Sequence, residues 1–232
     1  LRRHSLRERI TAALLIGNFT NPMGSLMPVE NKRRLAGLLS YHGVTLIEDD
    51  MYGELYYAAG RPESIAAFSD PELTYLAASF SKTIAPGFRV GWLAAEGSLI
   101  EKARHTKLVT SIVTSKPAAL GIALFLENGA YDRTLRNARR VYRQNAARLR
   151  ELVDESFPDG TTSSRPAGGM VLWVALPKSV DTVRLYELVR AQAISFAPGP
   201  MFAVSDSFRN CLRLNLSVLD ARVEAAVRNI GA

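Results

Sequence analysis

Ser79-Phe80-Ser81-Lys82-Thr83-Ile84-Ala85-Pro86-Gly87-Phe88-Arg89-Val90-Gly91-Trp92 sets a lysine among two serines and an arginine, directly after Leu73 to Ala78, an apolar run that reads as a strand. A lysine amine condenses with a carbonyl to form a Schiff base, while serine hydroxyls and a fixed guanidinium suit phosphate oxygens. The combination fits an aldehyde ligand that bears a phosphate. A lone lysine in a loop would say little, so the weight rests on what else the chain places after its strands.

Working outward, the first half alternates strand-like and helix-like segments, the signature of a mostly parallel sheet wrapped by helices. Thr11 to Gly17 reads as a buried strand; Pro28 then opens a helix whose face is drawn by Leu35, Leu38, Leu39 and His42 and which Gly43 closes. Val44 to Ile47 and Val90 to Ala94 read as strands, Leu99 to His105 and Pro117 to Leu126 as helices. A long helix follows from about Tyr131 to Val153. The character then changes: Gly168-Gly169 precedes a strand from Met170 to Leu176, Val183 to Ala191 is helical, Cys211 to Leu216 is a strand and Ala221 to Ile230 a closing helix. The chain divides near residue 130, with 1–130 as one domain and 131–232 as a smaller α+β domain entered by the long helix.

Ligands of open parallel sheets collect beyond the carboxyl ends of the strands. Two further polar segments fall there: Asn18-Phe19-Thr20-Asn21-Pro22-Met23-Gly24 and Glu48-Asp49-Asp50-Met51-Tyr52. A carboxylate beside a pyridine nitrogen keeps it protonated, and an amide and a phenol hydrogen-bond a ring hydroxyl. Asp49, Asn21 and Tyr52 are the candidates. Glu48 and Asp50 read as local hydrogen-bonding or surface charges.

In order and spacing, Asn-Pro-x-Gly, Asp-x-x-Tyr, Ser-x-Ser-Lys and the arginine seven residues on resemble the fold type I, class I/II aminotransferases, which use pyridoxal 5'-phosphate. The resemblance implies an α/β fold: part of the large domain, with its mostly parallel sheet, and the smaller C-terminal domain. It also implies roles. Lys82 forms the Schiff base and shuttles the proton, Asp49 pairs with the pyridinium, Asn21 and Tyr52 contact the phenolic oxygen, and Ser79, Ser81 and Arg89 hold the phosphate. Within Asn210-Cys211-Leu212-Arg213-Leu214-Asn215, Arg213 matches the family's arginine for the substrate α-carboxylate. The wording of Asn18–Ser25, Ile47–Leu55 and Phe80–Trp92 is most similar to the MocR branch, in which a GntR-type winged helix precedes an aminotransferase-like domain. That implies two open readings: the sensing domain of a transcriptional regulator, or a transaminase acting on an amino acid and a 2-oxo acid. The family's upstream phosphate loop and ring-stacking aromatic have no match here, so the chain is expected to be shortened at its amino terminus. The resemblance further implies a homodimeric parent that reaches DNA through the upstream domain.

Composition narrows the alternatives. The 232 residues are 47% hydrophobic and 22% charged, enough to bury a large core. One cysteine, Cys211, leaves no intramolecular disulfide and fits a reducing cytoplasm. His4, His42 and His105 are scattered without metal-ligand spacing, and neither a nucleophile elbow nor a Walker loop occurs. No apolar run spans a bilayer, and Leu1-Arg2-Arg3-His4 does not open a signal peptide. The net charge of +7 owes much to Arg133, Arg136, Arg139, Arg140, Arg143, Arg148 and Arg150. Leu135, Ala138, Tyr142, Leu149 and Leu152 recur beside them at helical spacing, so the arginines read as the solvated faces of an amphipathic helix rather than a nucleic-acid surface.

Overall fold

The computed structural model describes residues 10–232, so the expectations placed on Leu1 to His4 lie outside the described residues. The chain forms two compact units, one from residues 10–18 and Met27–Asn137, the other from Phe19–Leu26 and Ala138–Ala232.

The first unit holds a four-stranded sheet in the order β1 (Ala12–Leu15), β2 (Thr45–Asp49), β3 (Thr74–Ser79), β4 (Gly91–Ala94). The first three strands run parallel and β4 is antiparallel to β3. A helix, α1 (Val29–Tyr41), connects β1 to β2, as a parallel crossover requires. Its inner face packs with Ala36, Leu39, Val44, Leu46 and Ile65 into the local core, joined by Ala13 and Leu15 of β1.

Two expectations change here. The buried stripe of α1 is Lys32, Ala36 and Leu39, whereas Leu38 is 45% exposed and His42 faces water. Leu35 and Leu39 of the expected face do pack into this core, but a lysine stands beside them in the stripe, so apolar residues alone drew the face too far toward Leu38 and His42. β1 is an edge strand rather than a buried one; Leu14 is 72% exposed, because only alternate residues reach the α1 core.

Helices α2 (Gly97–Thr110) and α3 (Lys116–Glu127) complete the unit with the first residues of α4 (Ala130–Ser156). They keep large apolar side chains in water: Leu108 and Val109 at the end of α2, Ile112 and Val113 in the turn after it, Leu120 and Leu124 one turn apart on α3.

The second unit pairs β5 (Thr162–Ser163), β6 (Val171–Ala175), β7 (Ala197–Pro198) and β8 (Cys211–Asn215) in the order β5-β6-β8-β7, every pair antiparallel. Leu172, Val174, Leu212 and Leu216 of its sheet region are buried, as are Leu149 and Leu152 of α4. Helices α5 (Thr182–Arg190) and α6 (Ala221–Gly231) start on capping aspartates: Asp181 accepts from the amides of Val183 and Arg184, and Asp220 from that of Val223. On α4, Arg148 pairs with Glu224 of α6 at 2.9 Å. Among the described residues no helix is long and apolar enough to cross a membrane, and no group of three His, Cys, Asp or Glu could hold a metal.

Candidate functional site

Strand alternation sorts the three consecutive acids at the end of β2. Leu46, Glu48 and Asp50 are buried on the α1 side, whereas Thr45, Ile47 and Asp49 turn to the opposite face and are half-buried. Asp49 lies in register with Ala77, two residues before Ser79, so Asp49 and Ser79 share a face. Spacings of ~4.8 Å between strands and ~3.3 Å per residue put their Cα atoms roughly 8 Å apart. Among the described residues the Asp49 carboxylate accepts only a local bond, from the Met51 amide at 3.1 Å. Tyr52, one turn on, is buried.

Beyond β3 the chain tightens into successive turns. The Phe80 carbonyl accepts from the amides of Thr83, Ile84 and Ala85, the Phe80 amide donates to Val90, and the Ser79 hydroxyl accepts from the Ser81 amide at 3.0 Å. Phe80 anchors the loop edge-on against Tyr131, ring centroids 5.9 Å apart. Lys82 is half-buried and makes no hydrogen bond or ion pair with another described residue. Its neighbour Thr83 is buried, and its hydroxyl has no partner among the described residues. Pro86–Phe88 forms a single 3-10 turn that ends on Arg89, exposed and in the left-handed region at φ 54°.

Asn21 and Arg213 belong to the second unit, which brings them together: Arg213 Nη1 donates to Asn21 Oδ1 at 2.8 Å. Arg213 sits mid-strand in β8 opposite Trp173, with its guanidinium 5.0 Å from the centre of the Phe202 ring. Trp173 in turn meets Phe202 and Phe208 edge-on. Arg213 Nε is buried with no hydrogen-bond partner among the described residues, an unspent donor on the same guanidinium whose Nη1 is held by Asn21. The Gly168-Gly169 pair that precedes β6 is buried, and Gly169 has φ 79° with Phe19 beside it.

Glu48 and Asp50 are not surface charges. Glu48 accepts from the amides of Ile65 at 2.9 Å and Ala66 at 2.7 Å. Asp50 accepts from Asn18 Nδ2 at 2.8 Å and is paired with Arg61. Lys32, fully buried, donates to Asn18 Oδ1 at 2.6 Å and to the Glu63 carbonyl. Burial pushes both carboxyls above their usual range, opposed by the Ile65 and Ala66 amides for Glu48 and by Asn18 and Arg61 for Asp50. Burial likewise pulls the Lys32 ammonium down, against the charges of Glu48 and Asp50. Asn18, Lys32 and Arg61 were missed by the sequence reading. The one available signal was Lys32 itself, a charge on the i, i+4, i+7 stripe it forms with Ala36 and Leu39.

The family model "Aminotransferase class I and II" matches residues 3–230. The Escherichia coli (strain K12) "Uncharacterized HTH-type transcriptional regulator YjiR" is 36% identical over 96% of this chain and 47% of its own length. The 2-aminoadipate transaminase of Thermus thermophilus is 32% identical over 97% of this chain and 57% of its own. Among solved structures, LysN, the α-aminoadipate aminotransferase of Thermus thermophilus complexed with N-(5'-phosphopyridoxyl)-L-leucine, superposes with a TM-score of 0.86 at 30% identity, covering 94% of this chain and 57% of that one. The chain thus spans about half the length of the relatives it matches, and it has the expected α/β fold type I architecture. Matched by the family model along nearly its whole length, this chain belongs to the aminotransferase class I and II family.

Proposed function

We propose that this chain is the pyridoxal 5'-phosphate-binding, aminotransferase-like effector domain of a MocR/GntR-type transcriptional regulator. One observation carries the cofactor reading: Asp49 and Ser79 share a sheet face, while Lys82, three residues beyond Ser79, has no partner among the described residues. The residues suit the group chemically, with an amine for an aldehyde, a carboxylate for a pyridine nitrogen, and hydroxyls with a guanidinium for a phosphate. Bound pyridoxal phosphate supplies an electron-withdrawing ring that acidifies the α-carbon of an attached amino compound.

Lys82 Nζ is the point of covalent attachment and the group that moves a proton. Asp49 holds the proton on the ring nitrogen. Asn21 and Tyr52 hydrogen-bond the phenolic oxygen, and Ser79, Ser81 and Arg89 hold the phosphate. Arg213 takes the α-carboxylate of the amino compound, for which its buried, unpartnered Nε is a ready donor. The assignment of 1–130 to the large domain and 131–232 to the small one belongs to the same proposal, as do a homodimeric parent, a cytoplasmic location and contact with DNA only through a domain outside this chain.

The regulator reading is supported by the 36% identity to a helix-turn-helix regulator. A second reading, a transaminase passing an amino group between an amino acid and a 2-oxo acid, draws on the 32% identity to a transaminase. Absorption spectroscopy with added pyridoxal phosphate, borohydride reduction and peptide mapping tests the shared site: a reduced adduct on Lys82 is expected, and no adduct there refutes it. Promoter binding by the whole protein that responds to the cofactor or to amino acids selects the regulator. Conversion to the pyridoxamine form by an amino acid selects the transaminase.

A further inference from the structure

Glu48 and Asp49 end β2 and Asp50 follows at once, three carboxylates in a row, and alternation alone does not say which of them faces the Ser79 side; a one-residue slip would present Glu48 and Asp50 and bury Asp49. The first unit is built for one setting. Glu48 is clasped by two backbone amides, and Asp50 by Asn18 and Arg61, with Lys32 behind Asn18. Space is kept for both. A Cβ at Gly17 would lie 2.9 Å from Glu48 Oε1, and one at Gly53 would lie 2.5 Å from both Asp50 carboxylate oxygens. Arg61 reaches this cluster from the surface, with its side chain 35% exposed and its Nε bonded to Glu54 Oε1 at 2.7 Å.

We propose that Arg61 and Lys32 are positioning residues that hold Asp50 on the α1 side and thereby present Asp49, alone of the three acids, on the face shared with Ser79. A buried carboxylate stripped of its cation is costly to keep. Without Arg61, Asp50 turns toward water, and because the two residues are adjacent in one backbone, Asp49 leaves its setting with it. The significance for the cofactor rests on the reading of Asp49 given above; the positioning of Asp49 does not.

The test compares Arg61→Met, which removes charge at similar length, with Arg61→Lys, which keeps it. Amide hydrogen exchange reads the strand end directly, since the Asp50 amide donates to the Ala77 carbonyl at 2.8 Å and the Met51 amide to Asp49. Arg61→Met should raise exchange at Asp50 and Met51 by about tenfold or more while Leu39 and Leu46 stay within about twofold, and Arg61→Lys should remain near wild type. Should Arg61→Met not fold, Glu54→Gln, which loosens Arg61, should give a smaller rise at the same two amides. Unchanged exchange at Asp50 and Met51, or a rise shared equally with Leu39 and Leu46, overturns the proposal. With pyridoxal phosphate added, Arg61→Met should reproduce the altered visible spectrum of Asp49→Asn, with Arg61→Lys restoring that of wild type. Where Asp49→Asn alters the spectrum, a wild-type spectrum in Arg61→Met also overturns it; a wild-type spectrum in Asp49→Asn itself refutes the cofactor reading of Asp49 instead. Wild-type protein that takes up no pyridoxal phosphate refutes the functional reading instead, and the exchange pattern still decides the positioning of Asp49.

Discussion

Arg213 allows the sharpest separation of substrate binding from scaffold. One arm of its guanidinium donates to Asn21, its face lies over Phe202, and its Nε is buried and unpartnered. A carboxylate held by two charge-assisted hydrogen bonds draws about 1.5–3 kcal/mol from each. Arg213→Lys, which keeps the charge and one donor but loses the fork, should therefore weaken amino-acid binding roughly 10- to 150-fold, and Arg213→Ala about 10²- to 10⁴-fold, at about 1.4 kcal/mol per decade. Stability should barely move. Losing the Asn21 bond costs about 1 kcal/mol and the Phe202 contact about 0.5–1, and removing an unsatisfied buried donor returns about 1–3. The melting temperature should shift by only a few degrees. Spectral titration of the cofactor-loaded protein with amino acids, beside a titration of the apoprotein with pyridoxal phosphate, measures both affinities. Equal losses for amino acid and cofactor, or Arg213→Lys binding as wild type does, would refute the assignment.

Lys82→Ala should eliminate borohydride-trapped label from its peptide while leaving weaker, reversible cofactor uptake; undiminished label in that peptide would show that another amine is the true attachment point. Gly53→Ala should destabilise the first unit by about 1–3 kcal/mol, since the new methyl group meets both Asp50 carboxylate oxygens; denaturation monitored by Trp92 fluorescence checks this, and a neutral result would mean that Asp50 has room to move. Hydrogen bonding from Arg148 holds Glu224 below its ordinary value of 4.5, and that from Arg209 holds Asp181 below 3.8. A depressed carboxylate contributes stability that is complete above its ordinary value and lost as pH falls through the depressed one. The second unit, followed by Trp173 fluorescence, should therefore be insensitive to these groups between pH 7 and 5 and weaken below about 4.5, with Glu224→Gln and Asp181→Asn flattening that fall. Glu48 and Asp50 of the first unit run in the opposite sense: burial raises them, so their charged forms cost stability at neutral pH and acidification relieves that cost.

The elements were legible wherever a single periodicity ruled. β2, β3, β6 and β8 fall within a few residues of where apolar runs put them, and α4 buries Leu135, Leu149 and Leu152 as the spacing asked. The two-residue strands β5 and β7 offered no periodicity to read; pairing across the sheet defines them. The face of α1 was only half right, with Leu35 and Leu39 inward but Leu38 and His42 outward, because burial there is partly polar, and a lysine compensated by partners about 14 and 31 residues away has no local signature. The same long-range pairing hid the burial of Glu48 and Asp50. Candidate site residues were readable as a motif, but not the parity that separates Asp49 from its neighbours, which depends on where β2 begins its alternation and on what α1 packs against.

The apolar side chains that α2, α3 and the turn between them leave in water bear on how this chain behaves in a tube. Sulfate and phosphate strengthen the tendency of such surface to leave solvent, so salting-out should begin early and apparent mass should climb with concentration. Ligand titrations in those buffers would record association along with binding, and phosphate would also compete for any group that grips a phosphorylated ligand. Dilute protein in a chloride buffer of modest ionic strength is the setting in which an affinity measured on this chain reports the ligand alone.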